Sequence, residues 1–155
     1  MKNPIWLAFS RVVSIHPVTL FLLRLATRVD RPLLRATKGR LRLSFVIPVL
    51  LLRCRGAQTG IEREVPLLYV PVGDAVLIIG SNGGQIRDPA WCHNLRAQPE
   101  VRCLFRGEER RFAARELSGS EHTSAWEDAV GVYPGYVQYQ DRVERKIPLF
   151  RLDPI

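Results

Sequence analysis

The sequence predicts an α+β protein built on an antiparallel barrel of about six strands, with peripheral helices and a helical N-terminal arm. Three observations support this fold class. The chain has 155 residues, of which 46% are hydrophobic, so it is long enough for one domain with a buried core. Short apolar runs between glycine and proline turns outnumber the helical segments. The helices are few and short, which argues against a doubly wound sheet.

The positive charge is concentrated in the N-terminal quarter of the chain. Residues 1–42 contain nine Lys and Arg residues and one acidic residue, whereas residues 43–155 contain fourteen of each kind. We therefore expect a basic arm over residues 1–42 and a neutral barrel domain over residues 43–155. A neutral body argues against a nucleic-acid partner, which calls for basic residues on the folded surface.

The arm is predicted to contain two helices, over residues 4–15 and 17–29, which Pro17 separates. A further helical turn is expected after Asp30, its N-cap, and a linker over residues 38–42. The second helix is amphipathic, because its apolar side chains fall on one face and its basic side chains on another. The apolar set is Val18, Phe21, Leu22, Leu25 and Val29, and the basic set, continued past Asp30, is Arg24, Arg28, Arg31 and Arg35.

Six strands are expected in the barrel domain. They are predicted over Val46–Arg53, Arg63–Pro71, Ala75–Gly80, Val101–Phe105, Arg111–Leu117 and Ile147–Leu152. Tight turns are expected at Gly73-Asp74 and at Gly107-Glu108, since glycine tolerates the backbone angles that such turns need.

Three short helices are expected between the strands. The first has Asp88 as its N-cap and Pro89 at its first position, and it ends before Pro99. The other two are expected over residues 120–132 and 134–140.

The loop between the first two strands has the composition of an anion site. Residues 55–60 read Arg-Gly-Ala-Gln-Thr-Gly, and the two glycines allow backbone N–H groups to turn toward a ligand. Arg53, Arg55 and Arg63 are close in sequence, which suits a phosphate or carboxylate. The loop lacks the GK[ST] ending of a nucleotide-binding P-loop. The alternative is a hairpin turn flanked by solvated arginines.

A second loop, Ser-Asn-Gly-Gly at residues 81–84, is able to place backbone donors against a planar ligand, although most Asn-Gly pairs form simple turns. No metal site is expected, because His93 has no second histidine or carboxylate at ligand spacing. Cys54, Cys92 and Cys103 lack CxxC spacing, so we expect reduced thiols and a cytoplasmic location.

Tyr133, Tyr136 and Tyr139 are spaced by three residues. On a helical turn, this spacing places the phenols roughly on one side. Packing in the core is one interpretation. The other is a substrate site, since clustered phenols offer both stacking and a proton.

Several segments together resemble the deazaflavin-dependent nitroreductase family of actinobacteria. The resemblance runs in order from about Pro48 to Pro154, and the Pro-Ala-Trp helix and the tyrosine segment are its most specific parts. The segments are Val-Pro-Leu-Leu-Tyr (65–69), Gly-Ser-Asn-Gly-Gly (80–84), Pro-Ala-Trp-Cys-His-Asn-Leu-Arg-Ala-Gln-Pro-Glu-Val (89–101), Tyr-Pro-Gly-Tyr-Val-Gln-Tyr-Gln (133–140) and Ile-Pro-Leu-Phe-Arg-Leu (147–152).

The resemblance implies a split β-barrel that binds coenzyme F420, a deazaflavin with a phosphorylated tail, in a groove. It also implies hydride transfer from the reduced coenzyme to a quinone, an enone or a nitroaromatic compound. The protein then positions the ring, excludes water and supplies a proton.

The resemblance also assigns cofactor contacts along the barrel domain. These are Ala57, Gln58 and Thr59 at the tail phosphate; Arg63, Glu64, Val65, Pro66, Leu67 and Leu68 along the groove; Ile79, Gly80, Ser81 and Asn82 along the deazaflavin; and Ala90, Trp91, Cys92, His93 and Asn94 on its other side.

The resemblance makes Tyr133, Tyr136 and Tyr139 the walls of the substrate pocket. Tyr136, which also contacts the cofactor, is the candidate proton donor, and the Ser81 hydroxyl or N–H lies near the polar edge of the ring. This chain departs from the family at Gln58, where Lys or Arg is usual, at Ala57, where Arg is frequent, and at Cys92, where an aromatic residue is usual. Losing a charged partner weakens phosphate binding by about 1.5–3 kcal/mol.

Two alternatives to the deazaflavin enzyme stay open at this point. One is a non-catalytic barrel that binds a lipid or a tetrapyrrole, and the other is a barrel that binds flavin mononucleotide (FMN). The arm either packs on the barrel or binds an anionic membrane, at the inner face of the cell membrane, where a membrane quinone would be the acceptor. The barrel is expected to act as a monomer or as a homodimer.

Overall fold

The structure is a computed structural model that describes residues 48–155 together with Val29, Pro32 and residues 35–37. The strands are β1 (Val49–Arg55), β2 (Glu62–Val72), β3 (Ala75–Ile79), β4 (Glu100–Phe105), β5 (Glu108–Glu116) and β6 (Leu149–Pro154). The helices are α1 (Ala90–Ala97), α2 (Gly119–Val132) and α3 (Gly135–Asp141), and a 3-10 turn covers Asn82–Gly84. All six predicted strands and all three predicted helices of the barrel domain are therefore present.

The six strands close into a barrel in the order β1-β2-β3-β6-β5-β4. Every neighbouring pair is antiparallel, including the β1–β4 pair that closes the barrel. Closure removes the free strand edges that an open sheet would expose. The predicted fold class is confirmed.

Alternating side chains of the strands form an interior core and outward-facing clusters. One set, with Leu50, Leu52, Ile78 and Phe112 among its members, fills the barrel interior, and α1 packs against it. The other set faces outward, and α2 and α3 cover its part on β2, β3 and β6. Strands β1, β2, β3, β4 and β6 therefore have apolar residues on both faces for part of their length, whereas β5 contributes only Phe112 and Ala114, to the interior core.

The N-cap prediction for the first helix is wrong. Pro89 occupies the N-cap position of α1, and no side chain caps the helix. Asp88 instead forms ion pairs with Arg96 (3.0 Å) and Arg145 (2.8 Å). Two guanidinium partners satisfy this carboxylate better than the backbone N–H groups of a helix end would.

The β4–β5 turn differs from the predicted one by one residue. Glu108 is the first residue of β5, so the two-residue turn consists of Arg106 and Gly107. Both have positive φ, at 52° and 89°. This is the backbone form that matches the twist of a two-residue hairpin. Glu109 is then held on the strand, where it accepts hydrogen bonds from Arg53 and Arg102.

Most of the predicted arm lies outside the described residues, including both helices up to residue 28, the Asp30 cap and the linker over residues 38–42. Val29, Pro32, Arg35 and Ala36 are helical. Arg35 forms an ion pair with Glu64 of β2. No helix in the part of the chain that the structure describes has the length and apolar character that a bilayer crossing needs.

Candidate functional site

The loop between β1 and β2 is a closed turn in which two backbone donors have no partner in the described part of the chain. Gly60 N–H donates to Gly56 O (2.8 Å), and Gly56 N–H donates to Ile61 O (2.9 Å). Ala57 N–H donates to the side-chain oxygen of Asn94 (2.9 Å). Within residues 48–155, the N–H groups of Gln58 and Thr59 make no hydrogen bond. Consecutive free N–H groups in a turn attract an anion.

Arg63 lies beside this turn on the inner side of the barrel wall. It is opposite Cys54 in the β1–β2 register, and Cys54 belongs to the interior core. Directly paired residues have their side chains on the same face. Arg55, opposite Glu62, lies on the outer face. Neither arginine forms an ion pair with another described residue, in contrast to Arg53, which pairs with Glu64 and Glu109.

The predicted β2 contacts divide between two faces. Val65 and Leu67 pack against the interior core, on the side of Arg63. Glu64 is held on the outer side by Arg53 and Arg35, and Leu68 packs in an outer cluster. Pro66, two residues from each, shares that outer side. The inner side of β2 therefore presents only Arg63, Val65 and Leu67 of the six side chains that were predicted to line the cofactor groove.

Gly80, at the end of β3, is pressed between α1 and the start of β6. A Cβ at this position would lie 2.7 Å from Cys92 Sγ and 2.7 Å from Pro148 Cγ. Cys92 and Trp91 are buried in the interior core, where the Trp91 ring meets Phe150 edge-on at 5.6 Å. Burial also raises the pKa of the Cys92 thiol, which makes it unreactive. Ala90 and His93 are the exposed members of the predicted α1 set.

Asn94 fastens the 56–60 turn to α1. Its side-chain oxygen accepts from Ala57 N–H, and its side-chain nitrogen donates to Cys54 Sγ at 3.7 Å. The residue is buried. Both ends of the amide are thus engaged within the protein, so Asn94 sets the position of the turn.

The Ser-Asn-Gly-Gly loop forms a 3-10 turn with three left-handed residues, Asn82, Gly83 and Gly84. The turn packs against α3, since a Cβ at Gly84 would lie 3.1 Å from the Tyr139 backbone. Ser81 makes no side-chain hydrogen bond to cap the turn. The Ser81 N–H is likewise without a hydrogen bond to the described residues.

Arg145 is a site residue that the sequence analysis missed. Its guanidinium donates to the backbone oxygens of Gly80, Ser81 and Gln85 and to the carboxylate of Asp88. Arg142 adds a hydrogen bond to Gly83 O at 3.4 Å. These partners are about 60 residues distant in the chain, so no local pattern reveals the contact.

The three tyrosines come together in one buried cluster. Their ring centroids are 5.1–6.1 Å apart, and the hydroxyls of Tyr133 and Tyr139 are 3.0 Å apart. Each tyrosine is 3–5% exposed and packs against the outer faces of β3 and β6. Burial, followed by the neighbouring phenols, raises the pKa of Tyr136, so its hydroxyl stays protonated at neutral pH.

These contacts join the predicted segments into one continuous belt. The 56–60 turn touches α1 through Asn94, α1 touches Gly80 through Cys92, and the 3-10 turn touches α3 through Gly84. Among the described residues, no group of three or more His, Cys, Asp and Glu side chains is arranged to hold a metal ion.

Comparison with known proteins identifies relatives of this arrangement. The family model of the F420H(2)-dependent quinone reductases matches residues 25–154. An F420H(2)-dependent quinone reductase of Mycobacterium tuberculosis is 33% identical over 127 residues, which are 79% of this chain and 85% of that protein. A second M. tuberculosis protein, named a putative F420H(2)-dependent quinone reductase, is 31% identical over 70% of this chain and 91% of its own.

Solved structures agree with this match. An F420-H2 dependent reductase (FDR-A) superimposes with a TM-score of 0.64 at 34% identity, over 68% of this chain and 94% of its own. A domain-swapped dimer superimposes with a TM-score of 0.67 at 33% identity, over 81% and 94%. A heme binding protein from Mycobacterium smegmatis shares the fold alone, at 16% identity and a TM-score of 0.51, over 76% and 50%.

Proposed function

The chain belongs to the F420H(2)-dependent quinone reductase family, whose members are split-barrel oxidoreductases that use coenzyme F420, and we propose that it reduces a quinone, with enones and nitroaromatics as further acceptors. The observation that carries the proposal is the continuous belt of contacts from the 56–60 turn to α3. It offers an anion site at one end and neutral phenols at the other. These are the two chemistries that a phosphorylated hydride carrier and its acceptor require.

The residues of the 56–60 turn fit the phosphate of the coenzyme tail. The N–H groups of Gln58 and Thr59, which have no partner among residues 48–155, supply two donors, and Arg63 supplies a cation at the start of β2. Gln58 stands where the family usually has a basic residue, and Arg63 is placed to compensate. Asn94 holds the turn in the form that exposes these donors.

The residues at the end of β3 fit the polar edge of the deazaflavin. The Ser81 hydroxyl and N–H have no partner in the described part of the chain, so both are available as donors. When bound, the reduced coenzyme supplies a hydride. The packing of Gly80 against Cys92 leaves no room for water between α1 and β3 at this point.

We assign the proton to Tyr136. A quinone takes up two electrons and two protons, and a hydride delivers both electrons and one of the protons. The acceptor oxygen therefore still needs a proton, and a neutral phenol donates one. Tyr136 is 4% exposed and packs within the tyrosine cluster.

The basic arm suggests where the acceptor is found. Its predicted apolar face and three of its arginines, Arg24, Arg28 and Arg31, are suited to an anionic membrane surface, which would place the barrel at the inner face of the cell membrane beside dissolved quinone. Arg35 forms an ion pair with Glu64, so the helical residues Arg35 and Ala36 lie close to β2. We further propose that the protein forms a homodimer, as its domain-swapped relative does.

The direct test is oxidation of reduced F420 by a water-soluble quinone, an enone and a nitroaromatic compound, followed by the absorbance of the oxidised coenzyme. We expect turnover with the quinone and slower turnover with the other two. If none of the three acceptors speeds the oxidation above the rate without protein, the proposed function is wrong.

A further inference from the structure

We propose that Arg145 is a positioning residue that holds the segment from Gly80 to Asp88 in its ligand-binding form. The inference rests on the proposed function for the identity of the ligand. The holding action itself concerns only contacts within the protein. Arg145 is not among the residues that the family resemblance assigns to cofactor or substrate.

One side chain makes all of the contacts. Arg145 Nε donates to Gln85 O at 3.0 Å, and Nη1 donates to Asp88 Oδ1 at 2.8 Å. Nη2 donates to Gly80 O at 3.3 Å and to Ser81 O at 3.1 Å. The side chain is 17% exposed. The three guanidinium nitrogens thus hold both ends of the segment.

The segment needs such support because its own backbone gives little. It contains three consecutive left-handed residues and only one 3-10 turn. A residue with positive φ costs free energy, least so for glycine. Surrounding contacts have to offset that cost if the conformation is to persist. With Arg145 absent, three carbonyl oxygens would lose a charged donor, and the segment would open more readily than the barrel strands.

Arg145 also determines which way the donors face. In a trans peptide the C=O and the N–H of the same unit lie on opposite sides. The Gly80 carbonyl belongs to the same unit as the Ser81 N–H, so holding that oxygen turns the N–H away from Arg145. A cation on the carbonyl also polarises the unit and strengthens the N–H as a donor. The same applies to the Ser81 carbonyl and the Asn82 N–H.

Asp88 connects Arg145 to α1 and to strand β5. Its second oxygen pairs with Arg96 of α1, and Arg96 in turn makes two 2.7 Å hydrogen bonds to Glu116 of β5. Arg145, Asp88, Arg96 and Glu116 therefore form one chain of ion pairs. The position of the Ser81 donors is set by α1 and the barrel wall through this chain.

The alternative role for Arg145 is simple attraction of an anionic coenzyme. Lysine separates the two roles, because it keeps the charge but has no planar fork to reach four acceptors. We would compare Arg145→Lys, Arg145→Gln and Asp88→Asn with Arg115→Gln. This control removes an exposed two-bond pair with Glu121 and touches neither the segment nor α1.

Two readouts are needed. In the ligand-free protein, the rate of hydrogen exchange in residues 80–88 should rise in both Arg145 variants and in Asp88→Asn. The exchange rates of the strands should not change in these variants, and Arg115→Gln should exchange like the wild type throughout. F420 affinity, from fluorescence titration, should fall about tenfold or more in Arg145→Lys as well as in Arg145→Gln. Wild-type exchange in residues 80–88, or full affinity in Arg145→Lys, would overturn the proposal, as would an equal rise in exchange over the strands.

The exchange measurement keeps the two hypotheses separate. If wild-type protein fails to bind F420, the proposed function fails. A selective rise in exchange at residues 80–88 in that case would still support the holding role of Arg145, and its absence would still contradict it.

Discussion

Arg55 and Arg63 flank the same turn but lie on opposite faces of the barrel wall. Only Arg63 is on the side of the interior core, because it is paired with Cys54 in the β1–β2 register. The sequence names both arginines as candidates, because it does not show which face each residue takes. The β1–β2 register separates them.

Arg63→Gln should therefore weaken F420 binding about tenfold or more, as expected for the loss of a charged hydrogen-bond partner. Arg55→Gln is the matched control, and it should stay within about threefold of wild type. Isothermal titration at two salt concentrations measures both. Equal losses in the two variants would mean that only the general charge of the loop matters.

Tyr136 is the second residue whose role depends on its environment. Burial raises its pKa and so keeps the phenol protonated at neutral pH, which means that the hydroxyl carries the proton that an acceptor would take. Tyr136→Phe should lower kcat by about tenfold or more, with F420 affinity within a few fold of wild type.

Val137→Ala is the control for Tyr136→Phe, because Val137 is an exposed side chain of the same helix. It should leave kcat near wild type. Unchanged turnover in Tyr136→Phe would show that the phenol only packs.

At the scale of elements, alternation and turn residues were enough to predict the strands and helices of the barrel domain. Long-range partners were not predictable in the same way. Asp88 has the local sequence of an N-cap, yet Arg96 of α1 and Arg145, 57 residues further along the chain, bind it. The resemblance assigns Asn94 to the ligand, but its side-chain oxygen accepts from Ala57 of the 56–60 turn and its side-chain nitrogen donates to Cys54 of β1, both about 40 residues earlier in the chain. Residue type alone does not show whether a polar side chain binds a ligand, a local backbone group or a distant residue.

Two glycines test how tightly the elements pack. Gly80→Ala should destabilise the protein by about 1–3 kcal/mol, because the new Cβ meets Cys92 and Pro148 at 2.7 Å. Gly131→Ala is the contrast, since a Cβ at this position of α2 has no neighbour within 4 Å. It should stabilise the protein by about 0.5–1 kcal/mol. Urea unfolding measures both, and a Gly80→Ala variant as stable as wild type would contradict the close approach of α1 to β3.

At the scale of the whole molecule, the charge is divided between a basic arm and a neutral barrel. A full-length variant with Arg24, Arg28 and Arg31 changed to Gln tests the proposed membrane contact. Wild-type protein should sediment with anionic vesicles and not with neutral ones, and the variant should lose this binding, at about 1 kcal/mol for each charge removed. Salt should weaken wild-type binding. If wild-type protein ignores anionic vesicles, the arm has another role.

The choice of coenzyme is the central claim, since the belt, Arg63 and Tyr136 all depend on it. The most direct measurement is a parallel titration of the purified protein with F420 and with FMN, followed by fluorescence. We predict a Kd for F420 of about 1 μM or below and binding of FMN at least about tenfold weaker. Equal affinities, or a preference for FMN, would contradict the account.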